Sequence, residues 1–228
     1  GPKSELPEES GGWCDYMVEL EFFKSMPEGI RKDAWFLTKV TMTGQERNPE
    51  TGRYPLLNWD DPATNQKHPY WKKNIESSDW VFNYDDGYYE TKGISSASGK
   101  TRMIFRYADI LLLYAEAVAY GTKSIDDLAF DCMWRVQERA GVPLISKDVT
   151  KEYFQKAVLD ERRWETAGME HSCMGRFFTM QRHEILHLQK NYRDAAELSL
   201  NPNLTLSEEF YYFPIPDNEL LIVPGLKD

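Results

Sequence analysis

The stretch FRYADILLLYAEAVAYG, residues 105 to 121, constrains the fold more than any other. It consists largely of good helix formers and closes on Gly121, a residue suited to helix ends. From Ile110 to Val118 its apolar side chains cover nearly the whole circumference, so the helix demands neighbours on most of its sides. Asp109 and Glu116 interrupt the run, which is too short to span a bilayer.

The sequence that follows supplies helices to pack on. A second helix is predicted from Ser124 or Ile125 to Ala140, opened by a Ser/Asp cap and stopped by Gly141 and Pro143. A third spans about Thr150 to Thr166 behind a threonine cap, and a fourth covers roughly Gly175 to Leu188. Pairs of helices joined by short loops predict hairpins of the tetratricopeptide kind. Beyond them, YYFPIPDNELLIVPGL reads as proline-bounded extended pieces.

Residues 1 to 100 have a different texture. Proline, glycine and polar clusters such as NPETGR and DDPATNQKHP break every apolar run, and short strands are expected at Ala34 to Met42 and Trp80 to Tyr84. Loops of this length are functional or disordered, and a Trp- and Tyr-rich segment argues for the former. The expected fold is therefore mainly α: tetratricopeptide-like helical hairpins with an irregular, aromatic-rich loop subdomain and short strands. The division falls into 1–100, a loop-rich ligand-binding subdomain, and 101–228, a helical region.

Charge excludes one class of partner. With 27 basic against 37 acidic side chains the net charge is −10, which repels polyphosphate and leaves no footprint for nucleic acid. Cys14, Cys132 and Cys173 are widely spaced and odd in number, so neither a disulfide framework nor a zinc ribbon can be drawn. The N-terminal GPKSELPEES lacks the apolar run of a signal peptide.

HEILH, residues 183 to 187, has the H-E-x-x-H spacing of zinc peptidases. On a continuous helix both imidazoles would share one face, with Glu184 placed to deprotonate a metal-bound water. A third ligand would have to come from Glu208 or Glu209, in a segment that reads as loop. Gln189 and the polar turn Thr179 to Arg182 also depart from the surroundings such a motif normally has. The reading adopted is two histidines on the last helix, with no metal, no cofactor and no catalytic residue; zinc peptidase remains the alternative. The acid pairs Asp60/Asp61 and Asp85/Asp86 are sequence neighbours and cannot face each other across a glycoside.

Four blocks, RYADILLLYAEA, RVQERAGVP, DERRWETAG and YFPIPDNEL, resemble in order and spacing the C-terminal half of the SusD/RagB family. GGWCDYMVELEFFKSMPEGIRKDAWF also resembles an early family segment, so the likeness covers essentially the whole chain. After DERRWETAG the sequence departs from the family pattern: residues 169 to 176 read MEHSCMGR and do not match its spacing of buried glutamate, arginine and aspartate, which puts the local ion pairs in doubt. The resemblance implies a non-catalytic, lipid-anchored protein of the outer-membrane surface. Such a protein captures an oligosaccharide or polysaccharide, less often a peptide, for a TonB-dependent, SusC-like transporter. It also implies that a missing N-terminal segment of the same protein completes the core and carries the lipid anchor; Cys14 lacks the apolar lead-in of a lipidation signal. A plain helical-repeat scaffold for a protein partner is the other alternative.

Two groups of residues follow as candidates. Arg106, Asp109 and Glu116 on the first helix need partners if buried, and Glu161, Arg162, Arg163 and Glu165 on the third can supply them. For a sugar, flat apolar rings and adjacent amides are required. Segment 54 to 92 provides both, and Trp59, Trp71 and Trp80, followed by Tyr88, Tyr89 and Asn83, are the expected ligand-binding residues.

Overall fold

The computed structural model describes residues 18–41, 46–64, 68–72, 80–83, 88–91, 104–168, 170–200, 211, 214–223 and 225. The chain opens with two short helices, α1 (Leu20–Ser25) and α2 (Ile30–Trp35). Among the described residues six strands follow: β1 (Phe36–Leu37), β2 (Lys39–Thr41), β3 (Leu56–Asn58), β4 (Tyr70–Trp71), β5 (Trp80–Asn83) and β6 (Tyr88–Thr91). The long helices are α3 (Tyr107–Tyr120), α4 (Asp127–Ala140), α5 (Lys151–Thr166) and α6 (Glu170–Arg182). A 3-10 helix (Leu186–Tyr192), α7 (Ala195–Leu200) and α8 (Asp217–Ile222) complete the order.

The mainly helical fold expected from the sequence is the one observed. Helix α4 begins where Asp126 accepts from Ala129 N at 2.8 Å, a side-chain N-cap. It ends at Gly141 in the left-handed region, φ 69°, where Val142 N reaches back to Gln137 O at 3.1 Å. Thr150 caps α5 through Tyr153 N. At α3, Asp109 reaches back to the backbone N–H of Arg106 at 2.8 Å, half of a capping box.

Helix α3 packs on both α4 and α5. Ala108, Leu111, Leu112, Ala115 and Ala119 recur at helical spacing and bury against Ala129, Met133 and Val136 of α4 and Phe154 and Val158 of α5. The opposite side of α3 is exposed, so the neighbours demanded by its all-round apolar surface are met on one side among the described residues.

Three two-stranded antiparallel ribbons pair β1 with β4, β2 with β3, and β5 with β6. The β1–β4 ribbon is not a layer separate from the helices. Val18, Phe22, Met26 and Phe36 form a second core cluster, against which Trp71 of β4 and Trp164 and Ala167 of the α5 end pack.

Several local expectations are corrected. Where Ala34 to Met42 reads as one strand, α2 continues to Trp35 and residues 36–41 divide into β1 and β2, either side of Thr38; Met42 lies outside the described residues. The fourth helix runs from Glu170 and stops at Arg182, short of Leu188. Residues 217 to 222, read as extended, form α8: Pro216 fixes the entry, and Asp217 and Glu219 favour the positive end of the helix dipole. Tyr84 lies outside the described residues, as do Cys14, Asp85, Asp86, Glu208 and Glu209.

Candidate functional site

The aromatic segment is built on the ribbons. Trp59 directly follows β3; its N–H donates to Thr38 O at 2.8 Å, and its carbonyl accepts from Thr64 Oγ1 at 2.9 Å. Its half-buried ring stands edge-on to Phe23, with ring centres 5.7 Å apart. Tyr54 lies under the Arg47 guanidinium at 4.4 Å. Asp61 accepts from Ala63 N at 2.8 Å, so that carboxylate closes a turn.

Trp71 serves the interior first. Its ring meets Phe36 at 5.0 Å and Phe22 at 6.3 Å. Gly168, just past α5, lies so close that a Cβ there would fall 2.6 Å from the indole Cε3. Trp80, Asn83, Tyr88 and Tyr89 belong to one ribbon, with Asn83 opposite Tyr88 and Phe82 opposite Tyr89. The candidate residues therefore lie on or beside three ribbons, not on a single element.

An ion-pair network joins α2, α3, α4, α5 and α6. Arg31 is buried and pairs through Nη1 with both Glu161 (2.5 Å) and Glu165 (3.0 Å). Glu165 also takes Arg106 at 2.8 Å and Arg139. Burial pushes the Glu161 carboxyl up, and Arg31 opposes that shift. The second centre is Glu116, which accepts from Arg162, Arg182 (2.5 Å) and His183 (2.8 Å). The expected partnership of the first and third predicted helices is present as Arg106–Glu165 and Arg162–Glu116. The contribution of Arg31 was not legible, because its segment reads as loop; a lone arginine between Gly29 and the apolar Ala34–Trp35 was the one available signal.

HEILH does not form one helical face. His183 is followed by Glu184 in the left-handed region, φ 56°, and the chain then enters the 3-10 helix. His183 is held by Glu116 and stacks on Tyr120 with ring centres 3.9 Å apart, while His187 is exposed. Among the described residues no three His, Cys, Asp or Glu side chains are grouped to hold a metal ion. Cys132 is a buried free thiol whose burial pushes its pKa up, an unreactive state.

The SusD family model matches residues 1–228. The chain belongs to the SusD family. Solved SusD-superfamily chains share its fold: one from Parabacteroides distasonis ATCC 8503 (TM-score 0.61, 18% identity) covers 97% of this chain and 44% of its own. One from Bacteroides vulgatus ATCC 8482 (TM-score 0.60, 20% identity) covers 98% and 46%. A SusD homolog from Bacteroides thetaiotaomicron VPI-5482 (TM-score 0.50, 20% identity) covers 85% and 39%. This SusD-family chain thus spans less than half the length of these solved chains. No curated protein matches it by sequence. Among its described residues no helix is long and apolar enough to cross a membrane.

Proposed function

We propose that this SusD-family chain takes part in capturing an oligosaccharide at the outer-membrane surface and passing it, without catalysis, to a TonB-dependent SusC-like transporter. Family membership over residues 1–228 is the observation that carries the reading. The concentration of Trp and Tyr with interleaved amides in segment 54 to 92 supports it, because indole and phenol faces stack on the C–H side of sugar rings. Trp80, Tyr88, Tyr89 and Asn83 of the β5–β6 ribbon, with Trp59, are the proposed contacts. Trp71 is assigned to hold the base of this surface.

The test is retention on a glycan array and in affinity gels, with Trp80→Ala, Tyr89→Ala and Trp59→Ala compared with the parent chain. Retention of at least one glycan class, lost in Trp80→Ala at unchanged thermal stability, is the expected result. A chain that retains peptides and no glycan, or variants that bind like the parent, would overturn it.

A further inference from the structure

The turn that follows β3 holds Trp59 on a fixed backbone. Trp59 N–H donates to Thr38 O at 2.8 Å, Asp61 N–H to Asn58 O at 3.1 Å, and Thr64 N–H to Asp61 O at 3.0 Å. The Thr64 hydroxyl, on a residue only 2% exposed, lies 2.9 Å from Trp59 O and 2.8 Å from Asp61 O. Asp61 spends its carboxylate on Ala63 N, and Pro62 stiffens the same turn. The backbone of Trp59 and Asp60 is therefore set before a ligand arrives, which lowers the ordering cost of binding.

Uncommitted polar groups flank this tryptophan. Lys39 of β2 stands directly opposite Asn58 of β3, which puts their Cβ atoms about 4.5–5.5 Å apart on one face of the ribbon. Asp60 is the next residue after Trp59 in the turn. Lys39, Asn58 and Asp60 are all exposed, and among the described residues none of these three side chains has a hydrogen-bond or ion-pair partner. Together they offer an ammonium with three donors, an amide that both donates and accepts, and a carboxylate that accepts. Their formal charges cancel. Trp59 adds a half-buried ring to the set.

That balance selects a class of ligand. A sugar hydroxyl donates and accepts at once, so an uncharged saccharide on the indole finds both kinds of partner beside it. A uronate or sulfate group would meet the Asp60 carboxylate, and a cationic peptide the Lys39 ammonium, each a like-charge contact that discriminates against the wrong partner. We propose that Lys39, Asn58 and Asp60 form, around Trp59, the polar half of a saccharide subsite, and that this subsite takes uncharged sugars and rejects acidic ones. The inference rests on the glycan-capture reading, to which it adds three contact residues and a charge class.

Affinity gels at physiological ionic strength test it, cast with amylopectin, galactomannan, arabinoxylan or xyloglucan as neutral probes and with polygalacturonate or chondroitin sulfate as acidic ones. The parent chain should be retarded by at least one neutral polymer and by neither acidic one. Asp60→Asn and Lys39→Met, both at exposed positions, should each weaken that retention roughly tenfold at unchanged melting temperature. Asp60→Lys, which leaves two cations beside the ring, should bring retention by an acidic polymer. If the parent is held by a neutral polymer while Asp60→Asn and Lys39→Met bind like it, the subsite is overturned and glycan capture stands. Retention of the parent by an acidic polymer, or an Asp60→Lys chain that still ignores both, overturns the charge class. A parent held by no polymer of either kind counts against capture itself and removes this inference with it.

Discussion

His183 Nε2 donates to Glu116 Oε1 across 2.8 Å, and the same carboxylate takes Arg162 and Arg182. Burial, followed by the charges of Arg182, Arg162 and Arg176, lowers the imidazole from its ordinary 6.5. Its own burial, followed by the charge of Arg182, lowers the Arg162 guanidinium to about 10, still charged at neutral pH. A histidine lowered in the folded state binds fewer protons there than in the unfolded chain. Its contribution to stability is therefore intact above 6.5 and is lost as pH falls through the window between the unfolded and folded values. His183→Gln keeps a donor for Glu116 and removes the titration. Denaturant midpoints followed from about pH 8 to about pH 5 should decline more steeply in the parent than in the variant; parallel declines would refute the assignment.

Glu184 occupies the left-handed region at φ 56°, where a side chain costs roughly 1–2 kcal/mol. Glu184→Gly removes that cost and adds backbone freedom to the unfolded chain, for a net gain of about 0–1 kcal/mol. On a continuous zinc-binding helix the same substitution would instead lose about 1 kcal/mol. A urea midpoint that rises or holds supports the broken helix; a clear fall restores the peptidase geometry.

The long helices were legible because each carries its own punctuation. Asp126 and Thr150 cap, Gly141 terminates, and the α3 spacing of Ala108, Leu111, Leu112, Ala115 and Ala119 gives the core side. Helices α1, α2 and α8 have six residues each, too few for a helical period to show above loop composition. The short ribbons β1–β4 and β2–β3 join residues up to 35 positions apart, and such pairing has no local signature. HEILH misled for a related reason: the periodicity of α6 continues into it, while the turn at Glu184 is set by tertiary contacts of His183 with Glu116 and Tyr120. The aromatic residues were visible as a group, but composition does not separate Trp71, which packs on Phe36, from rings at other ribbon positions.

Arg31 ties α2 to α5 through two buried carboxylates, Glu161 and Glu165. Arg31→Ala leaves both without that cation and should destabilise the fold by about 3–5 kcal/mol. Arg31→Lys should recover only part, since a point charge on a flexible stem replaces a planar fork. Burial holds the Glu161 carboxyl above its ordinary 4.5, a shift that favours the folded state in acid and fades as pH rises through the folded value. Loss of Arg31 enlarges that shift, so the deficit of Arg31→Ala should be smaller near pH 5 than near pH 7 by denaturant titration, at about those values. A deficit independent of pH would mean that Arg31 acts through packing alone.

Trp71 and Gly168 form a coupled pair. A Cβ on Gly168 would lie 2.6 Å from the indole, and the residue has φ 66°. Gly168→Ala in the parent meets both the ring and the left-handed backbone cost; in a Trp71→Ala background only the backbone cost remains, roughly 1–2 kcal/mol. Trp71→Ala alone removes a half-buried ring from the Phe22 and Phe36 cluster and should cost about 3 kcal/mol, the lower end for a tryptophan truncation. The double-mutant cycle should then show a coupling above about 0.5 kcal/mol, which additive, independent sites would not give. Trp80→Ala should leave the midpoint near that of the parent while glycan retention is lost. Were Trp71→Ala to keep full stability and lose glycan alone, the indole would belong to the binding surface, and the support role given to β4 would have to pass to another residue.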